Sequence, residues 1–239
     1  MDYSKYYRKW HSENIEHYEA MSKYYERILR PSLPEDKEIK ILDIGCAFGI
    51  TMFSLKKMGY RNVKGIDISP ELIAVAKSKF LDVELVDDTV AWLKNFHEEY
   101  HVVLCFDVLE HIPKGEQISF LQSIYNAMKP NGVFVCTVPN ANSTFASRWR
   151  YDDYTHTISF TEHSLEFLLS HAGFSEIEIR EVEFVVKPKY PFIIRKSVIL
   201  WLALRFFRLI RRLEAIAELG SEGKNIPLSL NLLGIAHKK

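Results

Sequence analysis

Acidic side chains follow three consecutive apolar runs of this 239-residue chain, each where a predicted strand ends. Asp43 lies two residues before a turn that contains two glycines, and Asp67 follows it by 24 residues. The pair Asp87–Asp88 ends the third run. In an open α/β sheet, ligands bind at the carboxyl ends of the strands, and an acidic residue about 20 residues beyond a glycine turn accepts hydrogen bonds from ribose hydroxyls. The spacing therefore predicts a nucleoside site at this edge.

The glycine turn differs from the turns that bind dinucleotides. Residues 45–49 read GCAFG and lack the G-x-G-x-x-G pattern that cradles a pyrophosphate. Glycine at a strand-to-helix turn lets the backbone approach a ligand at a helix N-terminus. A carboxylate at Asp43 suits a positively charged amino group on that ligand. The turn thus favours a ligand with an amino group over a ligand with two phosphates.

A parallel sheet would bring these acidic residues together. Apolar runs alternate with helix-like segments of about ten residues, which predicts βαβ units with right-handed crossovers. The predicted strands are 39–44, 62–68, 83–86, 101–106, 132–138, 175–183 and 228–236, and the predicted helices are 50–58, 70–80, 89–97, 115–128 and 161–172. We divide the chain into a helical cap (1–34), a ligand-binding α/β domain (35–183), a helical insert (184–226) and a final strand (227–239).

Taken in order, the motifs resemble those of the class I S-adenosylmethionine-dependent methyltransferases. The resemblance covers about residues 39–183 and rests on LDIGC at 42–46, GIDIS at 65–69, DDT at 87–89, FDVLEH at 106–111 and MKPNG at 128–132. One position departs from the family, since Ala47 stands where many members carry glycine. The resemblance implies a Rossmann-like α/β fold with a seven-stranded sheet of order 3-2-1-4-5-7-6, helices on both faces and an antiparallel seventh strand.

The resemblance also implies which residues bind the cofactor, S-adenosylmethionine. Each part of the cofactor has its own expected partners. They are Asp43, Gly45, Cys46, Ala47 and Gly49 for the methionine moiety, Asp67 for the ribose hydroxyls, Ile68, Asp88 and Thr89 for adenine, and Phe106 for the sulfonium side.

The longest loop at the predicted ligand edge, residues 140–160, is rich in hydrogen-bonding and aromatic side chains. Arg148, Arg150, Asp153 and Tyr154 are the expected acceptor-binding residues, since arginine can bind phosphate or carboxylate in a bidentate manner. Residues 150–174 are also similar, more narrowly, to methyltransferases of bacterial surface-polysaccharide (O-antigen, capsule) biosynthesis. That similarity implies O-methylation of a sugar or terminal phosphate of a glycan, which could be lipid-linked.

Two histidines are candidates for the general base. His156 lies in the acceptor loop and is the first candidate, because an unperturbed histidine titrates near neutrality. His111 follows the fourth strand and is the second. Asp107, Glu110 and His111 resemble the metal-binding spacing of ubiquinone-pathway O-methyltransferases, but we expect the enzyme to use no metal.

The insert contains a basic amphipathic stretch over residues 196–213. Residues 195–213 carry six basic side chains and no acidic one. On a helix, Arg205, Arg208, Arg211 and Arg212 would share one side, with large apolar residues on another. Such a helix can lie in a membrane interface, or pack on the protein or on a second copy in a homodimer. The sequence leaves these alternatives open, and a peripheral contact with the inner membrane would suit a lipid-linked acceptor.

Composition excludes several classes of protein. The 31 basic and 31 acidic residues cancel, which argues against a nucleic-acid partner because such proteins need a basic surface. Three cysteines cannot form a four-cysteine zinc site, and no apolar run resembles a signal peptide or a membrane span, so we expect a cytoplasmic protein. Two further hypotheses remain: methylation of a quinone or other small aromatic or lipid precursor, and a non-catalytic methyltransferase-like scaffold.

Overall fold

A seven-stranded sheet forms the centre of the protein. The computed structural model describes residues 3–185, 187–188 and 195–239, so small parts of the predicted cap (1–2) and insert (186 and 189–194) lie outside the described residues. The strands are β1 (Lys40–Ile44), β2 (Asn62–Asp67), β3 (Asp82–Leu85), β4 (Tyr100–Phe106), β5 (Met128–Pro139), β6 (Ser175–Val182) and β7 (Asn231–His237). Their order is β3-β2-β1-β4-β5-β7-β6, and only the pairings that involve β7 are antiparallel in the described sheet. The predicted topology is confirmed.

Helices cover both faces of this sheet. They are α1 (Tyr3–Tyr7), α2 (Ile15–Leu29), α3 (Ile50–Lys57), α4 (Pro70–Ser78), α5 (Thr89–Leu93), α6 (Gln117–Ala127), α7 (Ala146–Asp152), α8 (Glu162–His171) and α9 (Lys196–Leu219). Two of them begin as predicted. The hydroxyl of Ser69 accepts the Leu72 N–H at the start of α4, and Thr161 forms a reciprocal capping box with Ser164 at the start of α8.

Some elements have shifted ends, since β5 begins at Met128 rather than at residue 132 and α5 ends at Leu93 rather than at residue 97. Three further segments differ from the sequence prediction. The helix-like stretch 1–30 is broken after Tyr7, because the Ser12 hydroxyl accepts the Asn14 N–H and competes with helical bonding there. The loop 140–160 contains the short helix α7. The insert helix α9 extends to Leu219 rather than ending near residue 213.

The N-terminal helices pack over the carboxyl edge of the sheet. The Tyr18 hydroxyl donates to the Phe48 carbonyl at 2.7 Å, which fixes α2 to the turn after β1. The ring of Tyr7 meets Phe48 edge-on at 4.9 Å, and Tyr25 stacks on Phe106 at the end of β4. Helices α1 and α2 therefore form a wall above the strand ends that carry the predicted site.

Candidate active site

Two adjoining cavities lie at the carboxyl edge of the sheet. The larger, of about 890 Å³, follows the ends of β1 to β4, and we call it the strand-edge cleft. The smaller, of about 410 Å³, lies beneath α1 and α2, and we call it the aromatic cavity. Six residues line both of them: Tyr3, Tyr7, His11, Tyr25, Asp107 and His111. A ligand in the cleft and a ligand in the cavity would therefore be neighbours.

The strand-edge cleft contains nearly all of the predicted cofactor residues. Its lining includes Asp43, Gly45, Cys46, Ala47, Asp67, Ile68, Asp88, Thr89 and Phe106. Gly49 does not line it among the described residues. With φ at +75° and only 2.2 Å between its would-be Cβ and Leu81, Gly49 instead shapes the turn into α3.

The turn after β1 brings backbone close to the cleft. Gly45 has φ at +73°, and a Cβ there would lie 2.5 Å from a Val108 methyl group. Ala47, where many family members carry glycine, is also left-handed at φ +46°, and its N–H donates to Asp67 Oδ2 at 2.8 Å. The turn keeps its conformation despite this substitution because the carboxylate of Asp67 holds the Ala47 amide.

Asp67 is arranged to receive further donors. Each of its oxygens accepts one backbone N–H at 2.8 Å, from Ala47 and from Ser69. Burial raises the pKa of Asp67, and these hydrogen bonds act in the opposite direction. An ionised carboxylate offers about four acceptor positions, so two remain for hydroxyl groups such as those of a ribose. Ile68, 65% exposed, offers a flat apolar surface beside it.

Asp43 provides the complementary charge for an amino group. It is only 2% exposed, and its Oδ2 has no hydrogen-bond partner among the described residues. Burial, followed by the nearby charge of Asp67, raises the pKa of Asp43 to about 8. An unpartnered buried acceptor is unfavourable, and a cationic amino group in the cleft would satisfy it. The cleft therefore fits the amino-acid part of S-adenosylmethionine.

Aromatic side chains of the N-terminal helices form most of the smaller cavity. Tyr24 stacks on Phe184 at 5.0 Å, and Trp10 meets Trp149 edge-on at 5.5 Å. The aromatic lining is Tyr3, Tyr6, Tyr7, Trp10, Tyr24, Tyr25, Trp149 and Phe184. We did not expect the N-terminal cap to contribute to the site. The clustering of tyrosines in residues 1–30 is the feature of the sequence that could have indicated this contribution.

The polar side of the aromatic cavity is built on Asp107, which follows β4. Its backbone is left-handed, with φ at +53°, a conformation that is uncommon for non-glycine residues and that aspartate adopts more readily than most. Its Oδ1 accepts hydrogen bonds from Thr137 at 2.9 Å and from Asn231 at 3.1 Å. Asn231 in turn accepts the indole N–H of Trp149. These bonds join β4, β5, β7 and α7 behind the cavity.

His111 is held in one tautomer by a chain of hydrogen bonds. The Thr155 hydroxyl donates to Asp153 Oδ1 at 2.6 Å and lies 2.7 Å from His111 Nδ1. Because the Thr155 proton is directed at the carboxylate, its oxygen must accept the proton of Nδ1, which leaves the lone pair on Nε2. Burial, together with the neighbouring His156, lowers the pKa of His111 to about 4. His111 is therefore neutral, with a free lone pair, near neutral pH.

His156 lies beside His111, with the two ring centres 4.7 Å apart. Its Nδ1 donates to the carbonyl of Trp149 at 2.9 Å, and its Nε2 is 3.9 Å from Asp153 and 4.0 Å from Glu110. His156 lines the aromatic cavity, whereas His111 lines both cavities. Of His111 and His156, it is therefore His111 that lies at the junction where an acceptor would meet the cofactor.

The same residues could hold a divalent cation. Glu110, His111 and His156 each offer one ligand atom, and these atoms lie within 4.8 Å of one another. Glu110 is buried, and its Oε2 has no hydrogen-bond partner in the described part of the chain. Asp107, which the spacing suggested as a ligand, is instead occupied by Thr137 and Asn231.

Three of the four predicted acceptor-binding residues lie outside both cavities. Arg148 is 63% exposed near Asp152, Arg150 donates to the Thr157 carbonyl, and Tyr154 is 89% exposed. Only Asp153 lines the aromatic cavity. The difference arises because residues 146–152 form α7, which leaves both arginines on the protein surface.

Comparison with known proteins identifies the family. The sequence family described as "Methyltransferase domain" matches residues 13–179. This chain belongs to that family. Over 104 residues it is 36% identical to a ubiquinone biosynthesis O-methyltransferase of Hydrogenovibrio crunogenus. The matched segment covers 41% of this chain and 42% of that relative. The chain thus spans less than half the length of the curated relatives that it matches.

Solved structures share the fold. A SAM-dependent methyltransferase from Archaeoglobus fulgidus has a TM-score of 0.67 at 22% identity, over 92% of this chain and 94% of that one. Haemonchus contortus phosphoethanolamine N-methyltransferase 2, solved with S-adenosyl-L-methionine, has a TM-score of 0.61 at 18% identity, over 90% and 52%. The chain thus carries the methyltransferase domain on a class I, Rossmann-like fold, and the lining of its strand-edge cleft fits S-adenosylmethionine.

The comparisons correct one expectation. The prediction of a glycan acceptor, based on residues 150–174, is wrong, because the curated relatives are ubiquinone biosynthesis O-methyltransferases. The two arginines that were expected to bind a phosphate or carboxylate of the acceptor also lie outside both cavities.

We predict that Asp67→Ala weakens binding of S-adenosylhomocysteine by at least about tenfold, because charge-assisted hydrogen bonds to two hydroxyls are lost. Isothermal titration calorimetry measures the change. Asp82→Ala is the matched control. Asp82 begins β3, at the edge of the sheet opposite to the cleft, so this variant should bind the ligand as wild type does. Unchanged affinity in Asp67→Ala would show that this carboxylate does not bind the ribose.

We predict opposite effects of Asp43→Asn on stability and on cofactor binding. The folded-state pKa of Asp43 is raised to about 8, so its contribution to stability is present below the unfolded-state pKa near 4 and is lost as the pH rises through 8. Without ligand, the variant should therefore gain stability over wild type between pH 4 and pH 8, by at most about 1.4 kcal/mol per pH unit.

The same variant should bind S-adenosylhomocysteine more weakly at pH 8, because the amide carries no charge to pair with the amino group. Thermal melts across pH 4–9, with and without the ligand, measure both effects. A stability difference that is independent of pH, or wild-type affinity for the ligand, would contradict this role of Asp43.

Proposed function

We propose that this enzyme methylates a hydroxyl group on a small aromatic acceptor of the quinone-precursor type. The observation that carries the proposal is the aromatic cavity, which adjoins the cofactor cleft and shares His111 with it. The curated relatives, named as ubiquinone biosynthesis O-methyltransferases, support an oxygen acceptor of this class.

The lining of the cavity favours a planar ring. Aromatic side chains stack on aromatic ligands face to face or edge to face, and a cavity of about 410 Å³ suits a single substituted ring. A sugar would need hydrogen-bonding groups all around it, whereas aromatic rings dominate this lining and the acids Glu110 and Asp153 lie on one side, both near His156. That side would orient the hydroxyls of the ring.

The chain's own residues can manage the proton of the acceptor hydroxyl. When bound, S-adenosylmethionine supplies an electrophilic methyl group. His111 Nε2 would take the proton of the acceptor hydroxyl as its oxygen becomes methylated, since the chain through Thr155 keeps that nitrogen unprotonated. Burial opposes ionisation of Asp153, but hydrogen bonds from Thr155, together with the charges that His111 and His156 carry when protonated, outweigh it and lower the pKa of Asp153. The resulting carboxylate would stabilise the protonated His111.

Methyl transfer to defined acceptors tests the proposal. The purified enzyme is incubated with methyl-labelled S-adenosylmethionine and either 3,4-dihydroxybenzoate, a catechol, or a panel of nucleotide sugars. We expect label in the methyl ether of the catechol and none in the sugars. Transfer to a sugar, with none to any phenol or catechol, would overturn the proposal.

We predict that His111→Gln lowers the rate of methyl transfer by about 100-fold or more, as loss of a general base typically does. His156→Gln, our first candidate from sequence, should have a smaller effect because His156 lines only the acceptor cavity. Single-turnover rates with saturating cofactor measure both variants, and calorimetry should show little change in cofactor affinity. A larger loss in His156→Gln than in His111→Gln would restore His156 as the base.

We predict that Thr155→Val lowers the rate by about tenfold or more, because a base in the wrong tautomer cannot accept the proton. Thr155→Ser keeps the hydroxyl and should retain most of the activity. Nitrogen-15 NMR of the His111 ring should show the Nδ1–H tautomer in wild type and Thr155→Ser, and a shift towards Nε2–H in Thr155→Val. The same tautomer in all three proteins would show that Thr155 does not position the base.

A further inference from the structure

The insert helix α9 is attached to the protein by its arginines. Arg208 is 17% exposed and lies 2.6 Å from Glu183 and 3.5 Å from Glu181. Arg212 donates to the carbonyls of Gly223 and Ile226, in the segment between α9 and β7. Both belong to the arginine side of the helix, for which the sequence left membrane contact and packing on the protein open. In the structure these two arginines hold α9 against the end of β6 and the segment before β7.

The opposite side of α9 is apolar and exposed. Ile199, Leu202, Phe206, Leu209 and Leu213 follow one another at spacings of three and four residues, and each is more than half exposed. A second exposed row lies beside them: Leu200, Phe207 and Ile210. We call these two rows together the outer face of α9. Eight large apolar side chains exposed side by side on one helix form a surface of the kind that marks an interaction site.

We propose that the outer face of α9 docks on an anionic lipid bilayer. A wide apolar face edged by basic residues is the signature of helices that lie in a membrane interface. Arg195, Lys196 and Arg205 are exposed at its N-terminal half, although Arg205 also lies 3.8 Å from Glu183. The acidic residues of α9, Glu214 and Glu218, lie in its C-terminal part. No helix among the described residues is long and apolar enough to cross a membrane. Helix α9 would therefore lie along the surface of the bilayer.

Helix α9 lies close to the wall of the aromatic cavity. Arg208 of α9 is bonded to Glu183, and the next residue, Phe184, stacks on Tyr24 in the wall of the aromatic cavity. The bilayer would thus lie next to the cavity, so that an aromatic acceptor with an apolar tail could enter from the lipid. This consequence rests on the proposed function, whereas the docking itself does not.

A second copy of the chain fits the outer face less well. A two-helix seam buries a narrow stripe of apolar residues, whereas the outer face has two rows. Parallel pairing of two outer faces would also bring Arg195, Lys196 and Arg205 of one copy close to those of the other. An anionic surface instead attracts these three exposed charges, since each contributes favourably near such a surface.

Sedimentation of the full chain with vesicles tests the proposal. We expect binding to phosphatidylglycerol–phosphatidylcholine vesicles, weaker binding to phosphatidylcholine alone, and a decrease with salt that does not reach zero. The triple variant Leu202→Gln, Phe206→Gln, Leu209→Gln should bind the anionic vesicles at least about tenfold more weakly than wild type, because apolar burial is lost. Phe80→Gln with Phe167→Gln, two exposed aromatics outside α9, is the matched control and should bind as wild type does.

Circular dichroism and binding of S-adenosylhomocysteine establish that each variant is folded. The proposal fails if wild type stays in the supernatant with anionic vesicles at low salt, or if the triple variant sediments as wild type does. It also fails if wild type is a dimer by light scattering, binds no vesicles, and becomes a monomer in the triple variant, because the partner is then a second copy. None of these outcomes depends on the acceptor, so methyl-transfer assays test the proposed function separately.

Discussion

Buried carboxylates at one edge of a parallel sheet are the constraint around which this protein is organised. Burial raises the pKa of Asp43, Asp67 and Glu110, and each of these side chains lines one of the two cavities. Buried carboxylate oxygens without donors are unfavourable. Ligands that bring positive charge or hydroxyl groups are therefore favoured, because they supply these donors. The glycine turn, the left-handed Asp107 and the cap of α1 and α2 all shape the space in which such ligands fit.

Sequence reasoning could predict the sheet and the cofactor cleft because both depend on local signals. Strand ends, glycine turns and caps such as Ser69 and Thr161 are encoded within a few residues of where they act. The acids of the cleft were found for the same reason, since parallel strands always end at a common edge. Gly49 shows the limit of this reasoning, because a glycine in the motif can serve the turn without lining the cleft.

The sequence indicated His111, Asp153 and His156, but the aromatic wall of the acceptor side could not be predicted because it depends on long-range packing. Helices α1 and α2 contribute the aromatic wall only after they fold back over the sheet, and no short motif records that arrangement. Helix α7 similarly leaves Arg148 and Arg150 on the surface. Their position in the loop at the ligand edge of the sheet had suggested that they bind the acceptor. In α9, the sequence showed the amphipathic pattern but left its partner open, because Glu181 and Glu183, which pair with Arg208, lie more than twenty residues away in the chain.

The central claim is that the acceptor hydroxyl meets the base at the junction of the two cavities. A crystal structure with S-adenosylhomocysteine and 3,4-dihydroxybenzoate tests it most directly. The account predicts the catechol ring among Tyr7, Tyr24 and Tyr25, with one hydroxyl oxygen about 2.6–3.2 Å from His111 Nε2. A catechol bound outside the aromatic cavity, or one whose hydroxyls contact His156 and not His111, would contradict it.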